Sequence, residues 1–116
     1  MDIVKGACHC GKVKFEVHAA PRDPRRCDCS LCRRKGAIML TAYRDEFHLT
    51  EGEAYLGLYQ WNTKTAQHYF CKNCGIYTHH WRRSAPEYGY NAGCVDGLDI
   101  TSLGEVPLRP GHKMTL

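Results

Sequence analysis

Eight cysteines stand in short clusters along a chain of 116 residues, and their spacing constrains the fold more than any other feature of the sequence. They are Cys8, Cys10, Cys27, Cys29, Cys32, Cys71, Cys74 and Cys94. Two cysteines separated by one residue do not easily form a disulfide with each other, but they can readily bind one metal ion together. Small domains often rely on metals or disulfides to complete their core. The clustering therefore favours metal ligands over a disulfide framework.

The segment 1–20 favours a reducing compartment. It carries Lys5, Lys12, Lys14 and Glu16 and contains no apolar run of the kind found in a secretory signal. No segment of the chain approaches the roughly 18–20 apolar residues of a membrane span. We therefore expect a cytoplasmic protein with reduced thiols and no membrane partner.

The formal net charge of +4 does not by itself indicate a nucleic-acid partner. Cysteines that bind zinc are deprotonated. Seven thiolates contribute −7 and two Zn²⁺ ions +4, which would bring the formal charge from +4 to +1. We therefore expect the metal-loaded protein to be nearly neutral, and binding to nucleic acid is not favoured.

The hydrophobic pattern predicts a mainly β fold in a single domain over residues 1–116. Val13, Phe15 and Val17 alternate with polar residues, as in a half-buried strand. Strands are predicted at 12–18, 37–43, 46–49, 54–59, 65–70, 76–81 and 88–95, separated by turns that include Trp61–Thr63, and the tail from Pro107 is expected to be irregular. A helical turn is predicted at Ser30–Lys35, with Ser30 as N-cap and Gly36 at its end.

The segment from Cys71 to Gly75 carries the sharpest local metal signal. Cys71 and Cys74 flank a tight turn that directs both sulfurs at one ion, and Gly75 permits the backbone conformation such a turn needs. Cys8 and Cys10, at positions i and i+2 of an extended segment, would face the same side and supply the other two ligands. Four thiolates leave no open position, so the sequence predicts a structural zinc site.

Cys27, Cys29 and Cys32 provide three further thiolates within six residues. Zinc sites that perform chemistry usually keep a position open for water or substrate. Several cations crowd this segment and could bind the carboxylates of an anionic thiol: Arg22, Arg25, Arg26, Arg33, Arg34 and Lys35. Two alternatives stay open. Cys94 or a histidine could close the site, or Cys27 and Cys29 could pair with Cys71 and Cys74.

Three cysteine motifs together resemble the glutathione-dependent formaldehyde-activating enzyme family, which includes centromere protein V. They are Gly6-Ala-Cys-His-Cys-Gly11, Cys27-Asp-Cys-Ser-Leu-Cys32 and Tyr69-Phe-Cys-Lys-Asn-Cys-Gly75, and the segments at Asn91–Asp96 and Pro110–His112 are also similar. The resemblance implies a β-rich fold shared with methionine-R-sulfoxide reductase B and translationally controlled tumour protein. It also implies two zinc ions per chain.

The same resemblance implies roles for seven cysteines. Cys8, Cys10, Cys71 and Cys74 would hold the structural zinc, and Cys27, Cys29 and Cys32 the catalytic zinc. The implied activity is that of a carbon–sulfur lyase, S-(hydroxymethyl)glutathione synthase, with a glutathione-like thiol and formaldehyde or a related aldehyde as substrates. The oligomeric state is not implied.

Two other functions compete with this enzyme. A non-catalytic zinc module could contact protein or nucleic acid through the basic segment 22–35. Methionine sulfoxide reduction would need an unligated nucleophilic cysteine, for which only Cys94 is spare. Cys94 is more simply a buried apolar residue. The histidines His9, His68, His79 and His80 are expected to be structural or exposed.

Overall fold

Ten strands, one short α-helix and three 3₁₀ helices make up the described part of the chain in a computed structural model that describes residues 2–27, 29–61, 64–82 and 85–109. The strands are β1 (Val4–Ala7), β2 (Lys14–Val17), β3 (Arg26–Cys27), β4 (Met39–Tyr43), β5 (Phe47–Glu51), β6 (Leu56–Tyr59), β7 (Gln67–Cys71), β8 (Tyr77–Trp81), β9 (Glu87–Asn91) and β10 (Leu108–Arg109). The helix α1 spans Ser30–Lys35, and the 3₁₀ helices span Glu53–Tyr55, Ala92–Cys94 and Ile100–Leu103. The predicted mainly β fold is confirmed.

Two antiparallel sheets organise these strands. The smaller has the order β1-β2-β5, and the larger has the order β4-β9-β8-β7-β6. A short parallel pair joins β3 to β10, with Arg26 opposite Leu108. Short connections between antiparallel neighbours explain why most of the larger sheet follows the chain order.

The main hydrophobic core is built from both sheets. Phe15 and Val17 are almost fully buried in this core, and Val13 is buried in the smaller core described next, which confirms the alternation predicted for this segment. The ring of Phe15 lies 5.2 Å from that of Phe47 and 5.9 Å from that of Tyr90, measured between centroids. These contacts join β2 and β5 of the small sheet to β9 of the large one.

A second, smaller core surrounds the ends of β1 and β7. It contains Cys8, Val13 and Cys71, with Leu49 and Leu56 packed against it. Two of its three fully enclosed members are cysteines that the sequence predicts to be metal ligands. This core therefore forms around a candidate metal centre.

Several boundaries differ from the sequence prediction. The strand predicted at 54–59 begins with the 3₁₀ helix Glu53–Tyr55, and the one predicted at 88–95 ends in the 3₁₀ helix Ala92–Cys94. The tail expected to be irregular contains β10, which pairs with β3. Residues 62–63 of the predicted turn, and the Pro110–His112 segment, lie outside the described residues.

Among the helices of the described part, none is long and apolar enough to cross a membrane.

Candidate metal centres

Four thiols converge where β1 and β7 end. The sulfur atoms of Cys8, Cys10, Cys71 and Cys74 all lie within 4.8 Å of one another. The Cys8 and Cys10 sulfurs are 3.6 Å apart, and the Cys10 and Cys71 sulfurs 3.7 Å. A tetrahedral zinc ion with bonds of about 2.3 Å places its sulfur ligands about 3.8 Å apart. These residues, here called the four-cysteine cluster, therefore fit a zinc ion in number, type and spacing.

Two glycine turns present the thiols of the four-cysteine cluster. Gly75 has φ of 81° and donates its N–H to the carbonyl of Cys71 at 2.8 Å. Gly11 also has φ of 81° and donates to the carbonyl of Cys8 at 3.2 Å. A side chain at such a φ is strained, which explains glycine at both positions. The expectation that Cys8 and Cys10 lie on an extended segment is wrong, because both take part in this turn.

Hydrogen bonds within the four-cysteine cluster favour thiolates, whereas burial raises the pKa of the Cys71 thiol. The side chain of Asn73 and the backbone amide of Lys12 lower the pKa of the Cys10 thiol to about 6. The backbone N–H groups of Val13 and Cys74 point at the sulfurs of Cys8 and Cys71, at 3.4 and 3.5 Å. Hydrogen bonds to the charged form favour it. The site is prepared to hold anionic sulfur, the form that binds metal.

Three further thiols converge at the start of α1. The sulfur atoms of Cys27, Cys29 and Cys32, here called the triad, lie within 4.8 Å of one another. The Cys29 sulfur accepts the N–H of Cys32 at 3.3 Å, so Cys29 is the N-cap of α1. The prediction of Ser30 as N-cap is wrong by one residue. Gly36 ends the helix with φ of 64°, as predicted.

Hydrogen bonds on the β3 side hold the triad in place. Arg25 exchanges two backbone hydrogen bonds with Met39 at 2.8 and 2.9 Å, and Arg26 donates its backbone N–H to Pro107 at 2.9 Å. The guanidinium of Arg25 also pairs with Asp23 and with Glu87. Arg25 and Arg26, which directly precede Cys27, are therefore bonded to β4, to β9 and to Pro107, and these bonds fix the position of Cys27.

Burial and hydrogen bonding act on the triad in opposite directions. Burial raises the pKa of the Cys32 thiol to about 12 and also raises that of Cys27. Burial acts in the same sense on Cys29, but the N–H of Cys32 and the neighbouring thiols outweigh it and lower the pKa. Cys29 is buried, and Cys27 and Cys32 are partly buried. Three such clustered thiols are a donor set suited to a soft cation such as Zn²⁺.

No fourth Cys, His, Asp or Glu joins the triad among the residues that the structure describes. Cys94 instead lies on the side of the four-cysteine cluster, where the charges of Cys8 and Cys74 add to the effect of burial and raise its pKa to about 12. Its thiol donates to the carbonyl of Tyr77 at 3.7 Å. Among residues 2–27, 29–61, 64–82 and 85–109, neither alternative grouping of the cysteines is present.

One wall beside the triad is formed by α1, β7 and β8. The Nζ of Lys35 is buried and lies 3.8 Å from the centroid of the Tyr77 ring. The Tyr77 hydroxyl is hydrogen-bonded to Nδ1 of His68 over 2.8 Å. Burial and, to a smaller extent, Lys35 lower the pKa of His68 to about 4. His80 packs against His68 at 5.4 Å between ring centroids, and burial holds its pKa well below the usual value.

This wall is the part of the site that sequence reasoning missed. His68 and His80 are expected from the sequence to be structural or exposed, and no motif connects them to Lys35. The register of β7 on β8, with His68 opposite His80, brings them together. The only available signal was the i, i+3 spacing of Cys32 and Lys35, which places both on one helix face.

Most cations of the basic segment 22–35 have partners within the chain. Arg22 pairs with Glu46, Arg25 with Asp23 and Glu87, Arg26 donates to the carbonyl of Val106 and Arg34 to that of Ser30. Arg33, one residue after Cys32, is exposed and has no acceptor among the described residues. The segment is thus not a continuous row of free cations.

Comparisons with known proteins relate most of the chain to one family. A family model described as "Glutathione-dependent formaldehyde-activating enzyme" matches residues 3–107. A protein of Halomonas elongata named "Putative glutathione-dependent formaldehyde-activating enzyme" is 32% identical over 82 residues, which cover 62% of this chain and 52% of that protein. The chain thus spans about half the length of this curated relative. A crystal structure of a Rhodobacter sphaeroides protein, whose name states no activity, matches with a TM-score of 0.86 at 52% identity and covers 90% of this chain and 99% of that one.

Proposed function

Because the chain belongs to the glutathione-dependent formaldehyde-activating enzyme family, we propose that it is a zinc-dependent enzyme that adds a thiol such as glutathione to formaldehyde or a related aldehyde. The reaction would be that of a carbon–sulfur lyase of the S-(hydroxymethyl)glutathione synthase type. The observation that carries the proposal is the triad, which gathers three thiols with no fourth ligand from the described residues. Such a site can accept a sulfur atom from a substrate.

In this proposal the two clusters have separate tasks. The four-cysteine cluster would hold a structural zinc ion, since four thiolates complete a tetrahedral shell. Cys27, Cys29 and Cys32 would hold a second ion, which when bound stabilises the anionic form of an incoming thiol. The chain's own part is then to orient that thiol beside the aldehyde, and proximity of this kind supplies much of the acceleration in bimolecular reactions.

The atoms of the reaction balance without an oxidant or reductant. The thiol loses its proton, a carbon–sulfur bond forms, and the former carbonyl oxygen takes up a proton. His68 and His79, with pKa values lowered to about 4 by burial, are uncharged but weakly basic near pH 7. They do not match the requirement for a general base at that pH, so we assign the proton exchange to solvent.

Arg33 is the residue best placed to bind a carboxylate of the substrate. It lies on α1 next to Cys32, is exposed, and has no acceptor among the described residues, whereas Arg22, Arg25 and Arg34 are already engaged. Glutathione carries two carboxylates, and a guanidinium binds such a group in a bidentate manner.

The competing functions find less support. A nucleic-acid module would use the basic segment 22–35, but most of its arginines are paired within the chain. A duplex of random sequence should therefore bind weakly, and a steep loss of affinity with rising salt would favour that function instead. Sulfoxide reduction would need a reactive Cys94, whose buried thiol has its pKa raised to about 12. A thiol of this kind is a poor nucleophile.

The substitution Cys29→Ser tests the proposed function. It removes one ligand of the triad and leaves the four-cysteine cluster intact, so turnover should be lost while the fold and one zinc ion are retained. Formation of the hydroxymethyl thioether from glutathione and formaldehyde, measured above the spontaneous rate by NMR exchange spectroscopy, provides the readout. Cys94→Ser is the matched control, since it removes a buried thiol outside both clusters, and it should keep its activity. Full activity in the Cys29 variant would refute the mechanism.

A further inference from the structure

Among the described residues, the ammonium group of Lys35 has no carboxylate as counter-ion. Its Nζ is buried, and it has no nitrogen or oxygen partner within the described ranges. The buried carboxylate of Glu87 is not available to it, because Arg82 at 2.8 Å and Arg25 at 3.3 Å already share that group. A buried cation that is unpaired carries a large free-energy cost, so its surroundings must compensate it.

Two features surround this ammonium group. The first is the ring of Tyr77, whose centroid lies 3.8 Å from Nζ, a distance at which the face of an aromatic ring attracts a cation. The second is the triad, because Cys32 lies one helical turn before Lys35 on α1. Burial lowers the pKa of Lys35, and the three thiols of the triad oppose that shift. His68 and His80, which also interact with Lys35, are held uncharged by burial and by that lysine. Among the described residues, the anionic charge next to Nζ therefore comes from sulfur.

The formal charge of the loaded triad explains why a lysine belongs there. Three thiolates and one divalent ion carry a net charge of −1, which disfavours the addition of another anion such as a substrate thiolate. One ammonium group brings the total to zero. The i, i+3 spacing places Lys35 one helical turn after Cys32, on the same face of α1.

We propose that Lys35 is a positioning residue that supplies the balancing positive charge of the metal-loaded triad and thereby allows it to accept a fourth, anionic sulfur ligand. The first part, the charge balance, depends on the triad alone. The second part, the incoming thiolate, rests on the function proposed above. Lys35 need not touch the substrate, since its charge acts through the cysteine ligands.

The affinity of the triad for zinc tests the first part. Lys35→Met keeps the length of the side chain against Tyr77 but removes the charge, and Lys35→Arg keeps the charge. Arg33→Met is the matched control, because it removes one positive charge from the exposed side of the same helix. In competition with a chromophoric chelator, the more labile zinc of the Lys35→Met protein should have a Kd raised about tenfold or more, as expected for loss of a unit charge in a partly buried site.

Lys35→Arg should stay within about threefold of the parent protein, and Arg33→Met within about twofold. Retention of the zinc ion of the four-cysteine cluster, together with an unchanged circular dichroism spectrum, reports that each variant is folded. Lys35→Gln replaces Lys35→Met if the latter does not fold. Equal zinc affinity in the Lys35→Met, Arg33→Met and parent proteins would overturn the proposal.

Thiol binding separates this proposal from the proposed function. With Co²⁺ in the triad, glutathione should add intensity to the sulfur-to-cobalt absorption, and Lys35→Met should raise the Kd for glutathione about tenfold. If the parent protein binds no thiol at the metal, the proposed function fails, whereas the zinc affinities still decide the role of Lys35. If the parent turns over thiol and aldehyde but Lys35→Met binds zinc and glutathione as tightly, the function stands and the role of Lys35 is refuted.

Discussion

Cys29 serves the local fold and the site with one sulfur atom. It accepts the N–H of Cys32 as N-cap of α1, and it belongs to the triad. Serine is among the preferred N-cap residues, which is why the sequence favours Ser30 for this position. The constraint that three thiols meet at one point moves the cap to Cys29, because this arrangement directs its sulfur toward both Cys27 and Cys32. Propensity alone does not contain that constraint.

His79 shows how burial sets the charge of a residue in this core. Its ring stacks 4.8 Å from Tyr69 and 4.6 Å from Phe47, and its Nδ1 is hydrogen-bonded to the Thr78 hydroxyl. Burial lowers its pKa from 6.5 to about 4. The unfolded chain therefore binds a proton at a higher pH than the folded one does.

We predict that His79 makes stability fall in mild acid. The contribution of the neutral ring is fully present above pH 6.5 and is lost as the pH falls through about 4. Between pH 7.5 and 5 the free energy of unfolding should drop by about 2 kcal/mol from this residue alone. His79→Phe keeps an aromatic ring between Tyr69 and Phe47 but cannot be protonated. Denaturant unfolding at both pH values should give a smaller drop for the variant, and equal drops would contradict the pKa.

At the scale of single elements, three pairs of neighbouring strands share one packing device. An aromatic ring on one strand lies over a glycine directly opposite on the next: Phe15 over Gly6, Phe70 over Gly57 and His80 over Gly89. A Cβ added at the glycine would lie within 2.6 Å of the ring in each case. The glycines provide the flat surface that lets the rings lie down on the sheet.

Gly57→Ala should therefore destabilise the edge strand β6. The new methyl group would lie 2.4 Å from Cζ of Phe70, so the ring or the strand must move, at a cost of about 1–3 kcal/mol. Thermal unfolding of the zinc-loaded protein provides the measurement. Leu58→Ala, at an exposed position of the same strand, is the control and should have a smaller effect.

A double-mutant cycle identifies the cause of that loss. If the ring of Phe70 is the obstacle, Gly57→Ala should cost little in a Phe70→Ala background. Additive effects of the two substitutions would show that the glycine is needed for another reason.

Elements with a strong local pattern are predictable from this sequence, and elements defined by distant pairing are not. The alternation of Val13, Phe15 and Val17 predicts β2, because a few neighbouring residues suffice to show that one face of the strand is apolar. β10 has only two residues and exists because it pairs with β3, more than 80 positions earlier. No local pattern could reveal it.

At the scale of the whole molecule, the thiols of the site are predictable from local patterns, whereas the wall of α1, β7 and β8 beside the triad depends on distant contacts. Spacing favours the grouping of seven cysteines into four and three over the alternatives that it leaves open, since each motif fixes its own sulfurs in a turn or a helix start. The neighbourhood of Lys35, Tyr77, His68 and His80 depends on the register of β7 on β8 and on the place of α1 beside them. Lys35 precedes the other three residues by more than 30 positions, so its place beside them was not predictable.

The four-cysteine cluster connects the end of β1, in the smaller sheet, to the end of β7, in the larger sheet. The sulfurs of Cys10 and Cys71 are 3.7 Å apart but separated by 61 positions in the sequence. A cross-link that closes a loop of this length removes about 4 kcal/mol of conformational entropy from the unfolded chain in the loop-closure description. The triad, by contrast, closes a loop of only a few residues. The two clusters should therefore contribute unequally to stability.

Substituting one ligand in each cluster should reveal that difference. Cys71→Ser opens the long loop and leaves a hydroxyl in the fully buried second core, so the melting temperature should fall by about 15 °C or more. Cys32→Ser removes a triad ligand and should lower it by only a few degrees. Metal analysis of the freshly reduced proteins should find two zinc ions in the parent and one in the Cys32 variant. Equal melting temperatures for the two variants would contradict the predicted difference, because the two clusters would then contribute equally to stability.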